Sequence, residues 1–509
     1  MITNVFQYLS DAVEAHPGHI AIKDAKSSLT YSGLYLESCR LGLAINKAVD
    51  GRINRPIVVF LPKGVAAVTA FMGVVASGNY YVPIEVGSPA QRVANIISVL
   101  EPLAVVTDPN LVEQVSLLVP SHVVVLGWRL GVEDNGEQEL EIETLHRVLA
   151  KKIDMDPLYV LFTSGSTGMP KGVVINHRAV IDYTEWLSAT FHFNHNTIFG
   201  NQAPFYFDNS ILDIYSTLKH AATMAIIPEP LFIFPQKLFE YMNAEKVNTI
   251  FWVPSALSSV AASGALSGMN LPQLEAILFC GEVMPVKTLN AWKAAYSTSL
   301  FANLYGPTEI TDVCTYYIVD RDFTEEESLP IGFPCANTEI LVLNEQNELV
   351  QGNELGELCV RGSSLSSGYY GEREKTNAVF VQNPLHDKYH DLIYRTGDLV
   401  RYNERGELLY ACRKDFQIKH MGHRIELGEI ETAALAIEGL NEGCALYDSV
   451  KKKIHLFCSC IAGLDEKSIF GELRKRVPQY MLPAHITILE KLPLTGNGKI
   501  DRKSLSSRM

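Results

Sequence analysis

The sequence predicts an α/β fold: a large N-terminal body of parallel sheets covered by helices, an antiparallel subdomain, and a small α+β C-terminal domain. Three observations lead there. Short β-branched apolar runs alternate with helical patterns through the first four-fifths of the chain, as parallel strands and their crossover helices do. After about Pro334, short strands crowd together with turn signals between them. Near Asp415, strand and helix patterns resume on a smaller scale. The length of 509 residues, at roughly 150 per domain, accommodates about three such units.

In chain order, the strand-like runs of the body are Pro56 to Leu61, Tyr80 to Pro83, Leu103 to Thr107, His122 to Leu126, Tyr159 to Thr163, Thr249 to Val253 and Ala276 to Phe279. Between them, Gly64 to Ser77, Ala90 to Leu100 and Pro235 to Glu245 are apolar on one side at helical spacing. The uncharged stretch from Gly64 to Ile84 is interrupted by Thr69, Ser77, Asn79, two tyrosines and Pro83, so it reads as a core helix and a strand, not as a membrane span. Thr338 to Asn344, Gly356 to Arg361 and a pair around Asn403-Glu-Arg-Gly406 make up the antiparallel part. Beyond Asp415, Gly428 to Ile437 reads as a helix, Lys453 to Ile461 as a strand and Lys467 to Val477 as a helix. The expected domains are 1–414 and 415–509.

Fifty-seven acidic and 43 basic side chains give a formal charge of −14, a field that disfavours nucleic acid and anionic lipid. A glycine-rich loop and a few placed cations still bind an anionic cofactor locally. The nine cysteines form no CxxC pair, which argues against a disulfide framework and a zinc site. Cys458 and Cys460 share one face of an apolar strand, where burial is expected. The first residues lack a basic region and a small-residue cleavage site, so a cytoplasmic address is expected.

The most informative segment is the apolar strand Leu158-Tyr-Val-Leu-Phe-Thr163 followed by Ser164-Gly-Ser-Thr-Gly-Met-Pro-Lys171-Gly172. A buried strand that delivers a Gly/Ser/Thr loop with one lysine suits phosphate oxygens. The Walker pattern requires Gly-Lys-Ser/Thr opening a helix, whereas Lys171 here precedes a glycine and the strand-like Val173-Val-Ile-Asn176, which argues against a P-loop kinase or GTPase.

Thr163-Ser-Gly-Ser-Thr-Gly-Met-Pro-Lys-Gly172 resembles the signature loop of the adenylate-forming superfamily: acyl-CoA synthetases, luciferases and the adenylation domains of nonribosomal peptide synthetases. Further blocks follow in that superfamily's order: Asn303-Leu-Tyr-Gly-Pro-Thr-Glu309, Gly356-Glu-Leu-Cys-Val-Arg-Gly362, Tyr394-Arg-Thr-Gly-Asp398, Arg413-Lys-Asp-Phe-Gln-Ile-Lys419, Gly422-His-Arg-Ile-Glu-Leu-Gly-Glu-Ile-Glu431 and Asn497-Gly-Lys-Ile-Asp-Arg502. The resemblance spans nearly the whole chain. It implies that the antiparallel part is a distorted barrel and that the C-terminal domain is mobile.

The resemblance also implies site residues whose chemistry suits their roles. Thr163, Ser164, Gly165, Ser166, Thr167, Gly168 and Lys171 would surround the phosphates of ATP. Tyr305 offers a ring for adenine and Asn303 an amide for its edge; Thr308 and Glu309 offer oxygens to phosphate-bound Mg²⁺, with Glu309 the implied metal ligand. Asp398 suits two ribose hydroxyls, and Arg413 supplies a permanent charge. Lys499, after the turn Gly496-Asn-Gly498, is the implied catalytic residue of adenylation, bridging carboxylate and phosphate where charge redistributes. Asp415 matches the hinge aspartate; Cys412 departs from the pattern, which commonly has glycine there.

Asn201-Gln-Ala-Pro-Phe-Tyr-Phe-Asp208 resembles the substrate block of amino-acid adenylating enzymes, with Asp208 implied to pair with the α-ammonium; an N-cap role before Ile211 to Leu218 is the alternative. Together with Leu278-Phe-Cys-Gly-Glu-Val-Met-Pro285, this wording resembles D-alanine:carrier-protein ligases in particular. Phe207, Leu212, Val253, Leu278, Cys280, Leu304 and Val313 would then line a small, mostly apolar pocket. Asp312 falls on the same stretch, where an apolar residue is usual; it either faces a polar group of the substrate or pairs within the protein. D-alanine is the leading substrate, with glycine, serine or a diamino acid as alternatives. The chain ends eleven residues after Gly498, so the expected acceptor is the phosphopantetheine thiol of a separate carrier protein. Rival functions are an acyl-CoA synthetase, which would lack the Asp208 contact, and a noncatalytic nucleotide sensor, which would not need Lys499.

Overall fold

The computed structural model of the chain describes all residues except 132–137, 166–168, 416, 462–463 and 495–499. The chain divides into two compact units. The larger comprises Met1–Glu85, Glu101–Leu161 and Val173–Lys414, and the smaller Val86–Leu100, Phe162–Gly172 and Asp415–Met509.

Among the described residues, the first sheet has nine strands. Six of these run parallel, in the spatial order Ile20–Lys23, Thr223–Ile226, Ile198–Asn201, Thr249–Trp252, Ala276–Phe279 and Leu300–Tyr305. Antiparallel strands finish both edges. A second sheet orders Val124–Gly127, Ala104–Thr107, Pro56–Phe60, Tyr80–Pro83, Pro157–Thr163 and Lys171–Asn176. The central runs Pro56–Phe60 and Tyr80–Pro83 are buried along their whole length, as strands covered on both faces must be. Pro62 ends the first of them, since a residue before proline is restricted and proline donates nothing to a ladder.

Helix Val65–Ala76 is buried at every position except Ala66. Being apolar all round, it belongs inside the protein and packs along Tyr31–Ala48. Its Phe71 ring stacks on Tyr81 at 4.3 Å, and the Tyr81 hydroxyl meets that of Tyr215 at 2.9 Å. Strand Tyr80–Pro83 of the second sheet is thereby tied to helix Ser210–His220, which lies in the same hydrophobic core.

The antiparallel part is five-stranded among the described residues. Thr338–Leu343 pairs with Gly356–Gly362, which pairs with Leu392–Tyr402; the last also pairs with Phe380–Gln382 and Leu408–Arg413. The turn into Leu408–Arg413 is closed by Asn403, whose side-chain oxygen accepts from the amides of Arg405 and Glu407 at 3.0 and 2.9 Å.

In the smaller unit, Leu440–Asp448, Lys453–Cys460 and His485–Ile488 form a sheet. Ile430, Ala434, Leu456, Ile469 and Leu473 make its core with helices Leu427–Leu435 and Glu466–Leu473. The second helix stops short of Val477 because Pro478 disfavours a helical residue before it. Arg92 pairs with Glu429 at 2.6 Å, both buried. Arg92→Ala would strand a buried carboxylate, so a stability loss of about 3–5 kcal/mol is expected in urea unfolding.

The buried His177 accepts a hydrogen bond from the Val5 amide at Nδ1, 3.2 Å. Burial, and then the charge of Lys152, lower its pKa from 6.5 to about 3. Between those values the unfolded chain binds a proton that the native state does not. Its contribution to stability is therefore complete above pH 6.5 and declines as pH falls toward 3. Buried Asp213, raised to about 7 chiefly by burial, has the opposite sign: its neutral form favours the native state at low pH, and that benefit is lost as pH rises through 7. His177→Gln is expected to flatten the decline of melting temperature between pH 6.5 and 5, and a parallel displacement of the profile would contradict it. Among the described residues, no helix is long and apolar enough to cross a membrane.

Candidate active site

The parallel strands of the first sheet end at the residues singled out by sequence. Ile198–Asn201 leads to Phe207 and Asp208, Thr249–Trp252 to Val253, and Ala276–Phe279 to Cys280, while Leu300–Tyr305 carries Asn303, Leu304 and Tyr305. Open parallel sheets bind ligands beyond the carboxyl ends of their strands, where the connections diverge.

At this edge the Tyr305 hydroxyl donates to Asp398 Oδ2, and Arg413 Nη1 pairs with Asp398 Oδ1 at 3.0 Å. Asp398 and Arg413 stand opposite each other in the ladder of Leu392–Tyr402 and Leu408–Arg413, so strand register alone brings the charges together. Both oxygens of the buried carboxylate are thus held in one orientation. Burial, followed by the charge of Asp398, pushes the Tyr305 phenol well up, keeping it a donor. Asn303 donates from Nδ2 to the Pro330 carbonyl at 2.7 Å.

The turn after Tyr305 collects oxygens. A Cβ on Gly306 would lie 2.4 Å from the Asp312 carbonyl oxygen, so only glycine permits this close return. Within the turn, the Thr308 hydroxyl donates to Asp208 Oδ2. Fully buried Glu309 accepts from the Tyr369 hydroxyl at 2.7 Å, and Asp312 Oδ2 accepts from the Tyr183 hydroxyl at 2.7 Å. Glu309 and Thr308 present only oxygen, the donor type of a hard divalent cation. Among the described residues, no group of three or more His, Cys, Asp or Glu side chains is placed to hold a metal. That donor set fits a cation arriving on the phosphates of a nucleotide, since such ions keep few protein ligands.

Asp208 is half-buried. Asn209, not Asp208, occupies the cap position of helix Ser210–His220, and Asp208 Oδ1 accepts the adjacent Asn209 amide at 3.0 Å. Leu212, Leu278, Cys280, Leu304 and Val313 lie in one buried cluster. Val253 is also buried, and Phe207 is half-buried with its ring 4.9 Å from Tyr206.

In the smaller unit, Ser164 donates its hydroxyl to the Arg424 carbonyl at 2.7 Å and accepts the Glu426 amide at 3.1 Å. A Cβ on Gly165 would meet the Met169 carbonyl oxygen at 2.1 Å. Thr163 Oγ1 reaches the carbonyl of half-buried Lys171 at 3.5 Å. Asp415 is exposed and accepts the Gln417 amide at 3.1 Å. Ser166, Thr167, Gly168 and Lys499 lie outside the described residues.

Sequence reading missed Tyr159, Tyr183 and Tyr369. Tyr159 stands in the motif-bearing strand, where four successive buried residues, Leu158 to Leu161, leave no alternation to mark it. Tyr183, on helix His177–Phe191, and Tyr369, bridged to Val173, carry no local signal.

A parallel sheet whose carboxyl edge gathers an aromatic ring, a pinned carboxylate, an arginine and oxygen donors is that of a nucleotide-binding α/β enzyme. The model of the AMP-binding enzyme family matches residues 9–370. The D-alanine--D-alanyl carrier protein ligase of Bacillus licheniformis is 31% identical, covering 97% of each chain; that of Lacticaseibacillus rhamnosus is 30% identical, covering 99% of each. The solved adenylation domain AlmE of Vibrio cholerae, in complex with glycyl-adenosine-5'-phosphate, superposes with a TM-score of 0.84 at 21% identity, covering 100% of this chain and 98% of that one. The chain belongs to the AMP-binding enzyme family, as its motif blocks predict, and is an AMP-forming ligase that uses ATP.

Proposed function

We propose that the protein adenylates a small amino acid and passes the aminoacyl group to the phosphopantetheine thiol of a separate carrier protein, D-alanine being the first candidate because the two ligases above act on it by name. The observation that carries this reading is Asp208, a carboxylate held by Thr308 at the strand edge that also presents Tyr305. A carboxylate there suits an α-ammonium, and a fatty or aryl acid has nothing to offer it.

In the first half-reaction, a carboxylate oxygen of the amino acid attacks the α-phosphorus of ATP and pyrophosphate leaves. Tyr305 supports adenine, Asp398 takes the ribose hydroxyls and Arg413 neutralises nearby charge, while the loop from Thr163 to Lys171 holds phosphate oxygens. Mg²⁺ on those phosphates, held by Glu309 with Thr308, would supply charge neutralisation. Lys499 bridges the two approaching anions. In the second half-reaction, the carrier thiolate attacks the acyl carbon, forming the thioester and releasing AMP. Residues 415–509 act as the mobile domain beyond 1–414, with Asp415 absorbing the dihedral change between half-reactions. The reaction takes place in the cytoplasm, where ATP is available.

Exchange of labelled pyrophosphate into ATP tests this reading. Exchange that depends on an amino acid and on Mg²⁺ is expected; exchange supported only by fatty or aryl acids would overturn it.

A further inference from the structure

Asp208 is reached through a connection that leaves strand Ile198–Asn201 and enters helix Ser210–His220. Connections of this kind are usually the mobile parts of a fold, yet this one is held from outside itself. Lys63, in the short link between strand Pro56–Phe60 of the second sheet and helix Val65–Ala76, reaches across to it. The Lys63 ammonium donates to the Gln202 carbonyl at 2.8 Å and to the Asn201 carbonyl at 3.4 Å, and it lies 5.9 Å from the centre of the Phe205 ring. One cation thus touches three residues on the path to Asp208. Beyond the last ladder bond a carbonyl needs a donor from elsewhere, and a lysine brings three of them on a long stem. Phe205 is buried, so the contact of cation and ring counts for more than at an open surface.

The same connection is closed independently at its ends. Asn201 donates from Nδ2 to Oδ2 of the buried Asp213 at 2.8 Å, which ties the end of the strand to the helix that follows Asp208. The Gln202 side-chain oxygen accepts the Val253 amide at 3.4 Å, and Phe205 packs edge-on against Phe71 at 5.9 Å. With these ends fastened, the placement of Asp208 depends on the limb that Lys63 holds. Burial lowers the Lys63 pKa from 10.5 to about 8, and the carboxylates of Glu229 and then Asp213 oppose the fall. A third acid close to this link, Asp24, is taken up by the amides of Val65, Lys26 and Ser27.

We propose that Lys63 is a positioning residue for substrate binding: by holding Asn201, Gln202 and Phe205 it sets where Asp208 stands, and with it the affinity for the amino acid's α-ammonium. This rests on the amino-acid reading and adds to it a residue from outside the substrate block. Its effect falls on binding and not on the chemical step, because an ammonium contact is made alike in the ground state and the transition state. Above about pH 8 the lysine is neutral. The charge that draws carbonyls and ring is then gone, and the hold on the connection weakens.

The test is pyrophosphate exchange by the full chain with glycine and both enantiomers of alanine and serine, for the wild type, Lys63→Met and Lys63→Arg, with nucleotide titration alongside. The best of these substrates is then followed from about pH 7 to about pH 9.5. At the lower end Lys63→Met is expected to raise its KM about tenfold, with kcat changed less than about threefold and nucleotide affinity nearly unchanged. The ratio of the variant's KM to the wild type's should fall as pH rises through about 8, because the wild type then loses the same charge. Titration of the substrate's own ammonium cancels in that ratio, and a lysine that only stabilised the fold would leave the ratio constant. Lys63→Arg keeps its charge throughout, so its KM should drop below the wild type's above about pH 8. If Lys63→Met does not fold, Lys63→Arg decides, and a KM that tracks the wild type's at every pH overturns the inference. An unchanged KM in Lys63→Met, a ratio constant with pH, or an equal loss of nucleotide affinity overturns it too and leaves amino-acid adenylation standing. Exchange with no amino acid overturns the underlying reading itself, and this inference with it.

Discussion

Lys499→Ala is expected to keep ATP binding nearly intact and to lower adenylate formation by about 10²–10³-fold, the penalty for removing one contact that acts mainly in the transition state. The reason is electrostatic: carboxylate and phosphate must approach although both are negative, and a lysine between them counts most as the new bond forms. The described residues on either side are themselves held. Leu494 and Ile500 bridge each other, and the Asp501 amide donates to the Pro493 carbonyl at 2.8 Å. Arg502 then donates to the Ala445 carbonyl at 2.8 Å and pairs with Glu431. Pyrophosphate exchange together with nucleotide titration checks the expectation. Near-normal exchange in Lys499→Ala would remove this residue from the chemistry.

The second large effect concerns Asp208. Asp208→Ala is expected to raise the KM for the amino acid by about 10²-fold or more, because truncating one side of a largely desolvated charge pair typically loses about 2–5 kcal/mol. Nucleotide affinity should change little, since Tyr305, Asp398 and Arg413 form their own hydrogen-bonded group. Asp208→Asn should show most of the same loss, as it preserves shape while removing charge. If amino-acid saturation is unchanged in both variants, the α-ammonium pairs elsewhere.

Much of the fold was legible because it is written in local patterns. Pro56–Phe60, Tyr80–Pro83 and Ala276–Phe279 appear where β-branched runs stand between turn signals, and Val65–Ala76 where uncharged residues run for three turns. Other elements left weaker traces. Helices Phe6–Ala15 and Tyr31–Ala48 and strands Ile198–Asn201 and Thr223–Ile226 were not assigned from sequence. A four-residue buried strand has neither alternation nor length to distinguish it from a piece of helix.

The site divides in the same way. The sequence by itself supplied the candidate inventory: a Gly/Ser/Thr loop with one lysine, the Tyr305 to Glu309 block, Asp398, Arg413, Lys499 and Asp208. These are clusters of adjacent residues, and adjacency survives folding. Only the tertiary structure decided which groups meet across the chain. Tyr183 reaches Asp312 over 129 positions, Tyr369 reaches Glu309 over 60, and Tyr305 reaches Asp398 over 93. Such pairings depend on strand order and register, where a slip of one residue would turn every side chain to the opposite face. That is why the pairing of Asp312 with Tyr183 becomes visible only when helix His177–Phe191 is packed beside its turn.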